Sequence, residues 1–470
     1  MIAPLRSPEG RLRTALVAIA AAVVASRWLL RAQVPDDNDS LDFVLAIARG
    51  YDLSRLQPHF PGYPVYVALG AALHRIGFSP IDSLTAISAF SAGLSAIGLA
   101  LCAQQIAGPF AAIGAAALHA VAFLPWLLGG AALSDGLGTA LAISAFALLS
   151  LDQPRPVMSA FVAGLVLGVR LSYWPIVIIL LLFAAHHSRA RTAAGFSLGL
   201  LLWAIPFFAI VGVREFIAVG QTHVAGHFTQ WGGSVATRPD FFSRLAAFLR
   251  GLFFDGLAPS PLALSAIAIA LGTGLWLRPR NIQVATIFVV LIPYALWTFF
   301  AQNVIEQPRH LLPIVEGALL IVACLLASAW PAILAIIVVA SWINVPLLLE
   351  RHRTPPAVMQ AAAWLDHNAD PTSAVLFAGR HGRYLQSQTP RLEIRERAWV
   401  SEVIADLSRF DRLPATVLLT SEIDLHSGGD ASSPMPPHWR LEQDLTFCRD
   451  PRIDRAGPCL GVSRLLWISP

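Results

Sequence analysis

Runs of about 20 apolar residues recur along most of this chain, and that is the length an α-helix needs to cross the hydrocarbon core of a bilayer. They lie at 14–31, 61–78, 83–103, 108–128, 134–151, 157–187, 195–213, 260–277, 281–300, 310–328 and 331–348. Inside lipid every backbone polar group must be satisfied within its own segment, so such runs fold as helices and not as an open sheet. The run 157–187 is long for one helix and divides naturally into two around Arg170–Trp174. The expectation is about eleven or twelve spans. Only 13% of the residues are charged, where a soluble domain carries about a quarter. The fold class expected is therefore an all-α polytopic membrane domain over 1–349, followed by a small α/β domain over 350–470.

Arginine in short loops sets the orientation. Arg6, Arg11 and Arg13 place the N-terminus in the cytoplasm, and the loops 186–195 and 278–283 fall on the same side. Loops 33–60, 213–259 and 302–310 then face outward, as does the C-terminal domain, in a multi-pass protein of a bacterial-type plasma (inner) membrane. Between 61 and 157 the crossings do not alternate cleanly. With Arg155 inside, one of the segments 61–78 and 108–128 is a partial or re-entrant span. The first run has the basic flank of a secretory signal, but it continues through Trp28, Leu29 and Leu30 and reads as an uncleaved anchor. All 33 basic residues are arginine, so a fixed cationic contact to phosphate must use a guanidinium fork. No basic run long enough to track a nucleic-acid backbone is present, which excludes that partner.

In the tail, PPAVMQAAAWLDHNADP has a helix pattern with proline at its start, and AVLFAG, ATVLLTSE and VSRLLWIS read as strands. Cys448 and Cys459 are expected to form a disulfide in an oxidising compartment, the alternative being two thiols. Cys102 and Cys324 sit in apolar runs and read as small core residues.

Between the first two runs stands DDNDSLD, with Asp36, Asp37, Asp39 and Asp42 inside seven residues. One reading is capping: Asp39 or Ser40 would cap a short helix with Leu41, Val44, Leu45 and Ala48 on one stripe and Gly50 as its stop. Too short to span, that helix would lie in the outer interface. Capping needs one acid, however, and four repel each other unless something positive stands near them. PHFPGYPVY follows at 58–66, with Pro61 and Pro64 fixing φ, Gly62 allowing close approach, and Tyr63 and Tyr66 suited to an interfacial belt.

The order of a first span, DSLDF at 39–43, a short amphipathic helix and then PHFPGYPVY resembles the first external loop of the GT-C superfamily of integral-membrane glycosyltransferases. It is most similar to the branch resembling protein O-mannosyltransferases. ALSDGLGTALAI at 132–143 resembles that family's acid at a helix mouth, GLVLGVRLSYWPIVIILL at 164–181 its glycine-rich helix with a basic residue, and QPRHLLPIVEG at 307–317 its basic start of a late helix. His59-Phe60-Pro61 replaces a proline pair, and Asp42 stands where Glu is usual. The resemblance implies a sugar donor linked to a polyprenyl phosphate, and transfer outside the cytoplasm to a glycan, lipid or protein acceptor, in contact with membrane lipids.

Chemistry singles out the same residues. An acceptor hydroxyl must lose its proton as it attacks an anomeric carbon, which requires a carboxylate within reach. The departing lipid phosphate requires fixed cations. Asp39 is the candidate base, Asp42 its orienting partner, and Asp135 a third catalytic acid. Arg309 and His310 are the candidate phosphate contacts, with Arg170 either joining them or pairing internally with Asp135. Asp36, Asp37, His59 and Tyr63 complete the candidate substrate-binding set. His223 and His227, four apart in the long external loop, line the groove or, with a third ligand, hold a metal. No cofactor is required, although the acids at Asp36–Asp39 offer a site for Mg²⁺ or Mn²⁺. The rival readings are a transporter or lipid flippase, which would place its charges at the bilayer midplane in two related halves, and a non-catalytic membrane scaffold.

Overall fold

The computed structural model describes residues 7–470 except 263, 267, 270–271, 273–281, 411–412, 425–438, 456 and 468–470. Helix starts follow from local chemistry. Ser7 accepts a hydrogen bond from Gly10 N at the head of α1 (Pro8–Leu29), and Ser79 accepts one from Asp82 N at the head of α4 (Pro80–Ala107). In both, proline follows the cap, where its missing N–H costs nothing. By internal contacts the chain forms two compact units, Met1–Pro35 with Asp39–His352, and Asp36–Asn38 with Arg353–Pro470.

In the first unit, α1, α4, α10 (Arg189–Val211) and Pro308–Leu325 are each long and apolar enough to cross a membrane, as is the helical stretch that begins with Trp330–Arg353. The segment 108–128 is broken at Ala122 into α5 (Pro109–Val121) and α6 (Phe123–Gly129), bent by 65°, which together would make a sixth. α7 (Asp135–Ser150), α8 (Pro156–Val169), Leu171–His187 and Ala285–Ala301 are apolar but shorter. The segment 61–78 yields only the 12-residue α3 (Pro64–Arg75). Among the described residues there are thus fewer full-length spans than apolar runs, because a break in the helix divides or trims a run without changing its hydropathy. Half of the span expected at 260–277, and most of the loop 278–283, lie outside the described residues. As expected, 157–187 divides at Arg170: α8 ends at Val169, a 3-10 turn covers Leu171–Tyr173, and α9 (Trp174–His187) follows.

α4 runs through the middle of this unit, buried along most of its length and lined with Ser, Ala and Gly. Small residues let helix backbones approach closely, which is how helices associate where lipid removes the hydrophobic drive. Between α8 and α10 the approach is closest: a Cβ on Gly199 would lie 2.1 Å from Phe161 O. The loop 213–259 is largely helical, with α11 (Val213–Gly226), α12 (Phe241–Leu249) and π-helical turns at His227–Trp231 and Arg250–Phe254.

The acidic loop opens α2 (Asn38–Ala48). Asp39 and Ser40 are therefore inside the helix and not its cap. Nor is α2 half-exposed along one stripe: Ser40, Leu41, Asp42, Phe43, Leu45 and Ala46 are all buried, while Ala48 is exposed.

The C-terminal unit is a five-stranded mixed sheet in the order β2-β1-β3-β5-β4. After the helix Ala357–Asn368 come β1 (Ala374–Ala378), a short helix Gly382–Gln388, β2 (Glu393–Glu396), a helix Val400–Leu407, β3 (Thr416–Thr420), β4 (Trp439–Cys448) and β5 (Cys459–Trp467). β1 pairs parallel with β2 and β3, and β5 runs antiparallel to β3 and β4. Val375, Phe377, Val417, Leu419 and Leu465 pack on Val400, Val403 and Leu407. The sequence marks β1, β3 and β5. It does not mark β2, an exposed edge of alternating charge (EIRE), or β4, whose WRLEQDLTFC alternation was available as a signal. Cys448 and Cys459 are disulfide-bonded at facing positions of β4 and β5, and Cys102 and Cys324 are buried and outside that disulfide.

Candidate active site

A helix turn and a tight loop create the centre of the site. Asp39 and Asp42 are three apart on α2, a spacing that puts both carboxylates on one face. The chain then reverses: Asp52 accepts from Ser54 N at 3.0 Å and caps a 3-10 turn, and Asp52 and Gln57 pair across the loop. The Gln57–Pro58 and Phe60–Pro61 bonds are cis. Gly62 has φ +100°, and Tyr51 donates to its carbonyl at 2.6 Å, filling the space any Cβ there would need. That reversal brings His59 back to α2. Its Nδ1 donates to Asp42 Oδ2 at 3.2 Å and lies 3.8 Å from Asp39 Oδ1, while Nε2 is 2.8 Å from Tyr63 Oη. Phe43 supports Tyr63 and Tyr66 edge-on, at 4.9 and 5.1 Å between ring centres.

From the other end of the sequence, Arg309 in the 3-10 turn Pro308–Leu311 donates through Nη2 to Asp39 Oδ2. Next to it, Arg170 stands where α8 breaks, and Nη1 donates to Asp135 Oδ2 at 2.8 Å and to Ser134 Oγ at 3.3 Å. Its Nη2 donates to His310 Nδ1 at 3.1 Å. Arg170 thus makes the internal pair with Asp135 and also reaches His310. Tyr294 fixes this turn by donating to His310 O at 2.9 Å. Tyr294 and Ser134 were not singled out from the sequence. An isolated tyrosine inside an apolar run, and a serine next to the candidate acid, were the signals available.

The four acids of the loop do not act as one cluster. Asp39 meets Arg309, Asp42 meets His59, and Asp36 accepts from Arg449 Nη1 at 2.9 Å in the C-terminal unit, to which Asp37 also belongs. Repulsion within DDNDSLD is relieved by three separate cations. Asp39 keeps about a third of its side chain exposed (34%), whereas Asp42 and Asp135 are buried. Burial pushes the Asp39 carboxyl up, but Arg309, with help from His59, outweighs it and holds the acid below the usual carboxylate range. For His59 burial pushes the imidazole down, and Asp39 with the Asp42 hydrogen bond raises it above its usual value.

His223 packs 6.2 Å from the His59 ring and 5.5 Å from Phe60, and burial pushes it down to about 4. His227 donates Nε2–H to Ala301 O at 2.7 Å, which takes that nitrogen out of metal ligation. Among the described residues the histidine pair is not part of a metal-competent group. Among the described residues, the metal-competent group is instead Asp39, Asp42 and His59, whose donor atoms lie within 4.8 Å of one another. Two carboxylates and an imidazole suit a borderline cation such as Mn²⁺ better than Mg²⁺, which prefers oxygen alone. Asp36, counted with Asp39 in the expected cation position, instead pairs with Arg449 and is not in that group.

No protein-family model matches the chain, and no curated protein matches it in sequence. Solved structures do match. ArnT from Cupriavidus metallidurans bound to undecaprenyl phosphate superposes with a TM-score of 0.55 at 11% identity, over 97% of this chain and 98% of that one. Apo ArnT gives 0.56 at 12% identity, over 96% and 98%. The chain has an ArnT-like fold. The Archaeoglobus fulgidus oligosaccharyltransferase tethered with an acceptor peptide matches at 12% identity and a TM-score of 0.48, over 87% of this chain and 69% of that one.

Proposed function

We propose that this protein is an integral-membrane glycosyltransferase of the plasma membrane. It moves a sugar from a polyprenyl-phosphate donor to an acceptor hydroxyl on the extracytoplasmic face, with Asp39 as general base. The observation that carries the reading is the meeting of Asp39, Asp42 and His59 with Arg309, Arg170 and His310, within a fold shared with ArnT along nearly its whole length. ArnT itself was crystallised with undecaprenyl phosphate. The order DSLDF then PHFPGYPVY supports the branch resembling protein O-mannosyltransferases.

The acceptor O–H gives its proton to Asp39 as its oxygen bonds to the anomeric carbon. The bond from that carbon to the phosphate oxygen breaks, and the lipid phosphate departs with the electron pair. Arg309 and Arg170 hold that phosphate, and Asp135 positions Arg170. While Arg309 faces Asp39 the carboxylate is a weak base. A donor phosphate that draws the guanidinium away restores its basicity, so proton abstraction follows donor binding. A divalent cation held by Asp39, Asp42 and His59 would supply added neutralisation of the phosphate.

Asp39→Asn keeps size and polarity and cannot take the proton. Turnover from a polyprenyl-phosphate sugar by purified variant should fall by roughly 10²–10⁴-fold, with mass spectrometry of envelope glycans losing the same product. Near-normal turnover would remove Asp39 from the chemistry.

A further inference from the structure

In parallel α/β sheets, ligands bind at the carboxyl ends of the strands where the strand order reverses. The C-terminal unit has such a point. From β1 the chain crosses to β2 on one side, and from β2 it returns to β3 on the other. At the carboxyl ends of these three strands lies a crevice of about 670 Å³, lined by Arg380, Glu396, Arg397, Ala398, Glu402 and Glu422. That volume is in the range of small-molecule sites, about 300–1,000 Å³.

The lining selects among ligands. Its cations are already neutralised: Arg380 Nε donates to Glu422 at 2.9 Å, and Arg397 donates to Asp406 and to the Glu396 carbonyl. Carboxylate oxygen is left in surplus. The exposed Glu396 carboxylate has no ion pair or hydrogen bond among the described residues, and Glu402 takes the Ala398 and Trp399 N–H groups on Oε2 alone. These carboxylates do not converge on a point as the metal-competent triad of the other unit does. A phosphate-bearing ligand is disfavoured, because Glu396 lies over Gly382, where the chain leaves β1 for the next helix. A Cβ at that glycine would be 2.5 Å from Glu396 Cγ and 3.1 Å from Oε1. A basic peptide would meet Arg380 and Arg397. What fits spaced acceptors beside guanidinium N–H groups is a polyol, whose hydroxyls donate to the first and accept from the second.

We propose that this crevice is a second saccharide site, separate from the transfer chemistry, taking a hydroxyl-rich sugar of a few rings that carries no anionic group. The test uses the full-length protein in lipid nanodiscs, with binding followed by calorimetry. Trimers of N-acetylglucosamine and of glucosamine should bind saturably, while a galacturonate trimer and ADP should not. Ala398→Trp, at an exposed position, should weaken both sugar trimers by about tenfold or more, the equivalent of 1.4 kcal/mol, with the Cys448–Cys459 disulfide intact. Glu396→Gln should weaken the glucosamine trimer more than the acetylated one. Asp39→Asn, which is expected to stop transfer, should leave this binding unchanged. Absence of saturable binding by both sugar trimers, equal binding in Ala398→Trp, or tighter binding of galacturonate would overturn the proposal.

Discussion

Arg309 is the residue on which the site's electrostatics turn. It neutralises Asp39 in the structure, and in the proposed reaction it exchanges that carboxylate for a lipid phosphate. A guanidinium fork suits the exchange because it can grip either oxyanion with two parallel N–H groups, which the point charge of lysine cannot do. Arg309→Lys should therefore raise the KM for the donor by about ten- to a hundredfold, the worth of one charge-assisted hydrogen bond at about 1.5–3 kcal/mol, with a smaller change in kcat. Steady-state titration of a polyprenyl-phosphate sugar checks this. An unchanged KM would mean that Arg309 serves Asp39 alone. Asp42, Asp39 and Arg309 could all be nominated from the sequence, since an acid run and a basic helix mouth are visible there. Their partnership could not, because Asp39 and Arg309 are separated by 270 residues.

At the scale of elements, α2 and the β4–β5 hairpin show how a local pattern is reassigned by packing. The stripe Leu41, Val44, Leu45 and Ala48 predicts a helix lying in an interface. The folded α2 instead buries Asp42 and Ser40 along with Leu41, because His59 returns to accept the polar side. In the β4–β5 connection, Asp454 accepts from Gly457 N at 3.2 Å. Burial raises its carboxyl to about 6, with the Gly457 bond and Arg449 opposing the shift. Because the folded value lies above the unfolded one, the folded state binds more protons between them. Stability of this unit should then fall as pH rises from about 4 to about 6 and stay flat above that. Asp454→Asn keeps the acceptor and removes the charge. It should stabilise the C-terminal unit at pH 7.5, read as resistance to limited proteolysis, and lose that advantage near pH 4. An advantage equal at both pH values would rule out the buried charge as its cause.

At the scale of the whole molecule, a second buried ionic group holds the membrane unit together away from the site. Glu316 accepts from His119 Nδ1 at 2.9 Å, and Arg27 donates to the carbonyls of His119 and Ala120 while stacking 4.5 Å from the Trp126 ring. The group ties α1 and α5 to the helix Leu312–Leu325. Removing one member of a buried pair strands the other, at about 3–5 kcal/mol. Glu316→Leu should accordingly lower the thermal midpoint of the purified protein sharply, and Glu316→Gln, which can still accept from His119, should lower it less. Equal midpoints would show that the pair carries no stability. The sequence by itself determined the membrane class and the α/β tail, and it nominated the disulfide and the residue types of the candidate site, because apolar run length, strand alternation and clustered charge are local properties of the chain. Tertiary structure alone decided which helices break short of a full span, which acid meets which cation, and that His59 and not Asp36 joins Asp39 and Asp42. Those outcomes depend on where a loop such as Tyr51–Tyr63 turns the chain back, and no periodicity within a segment records what lies across from it.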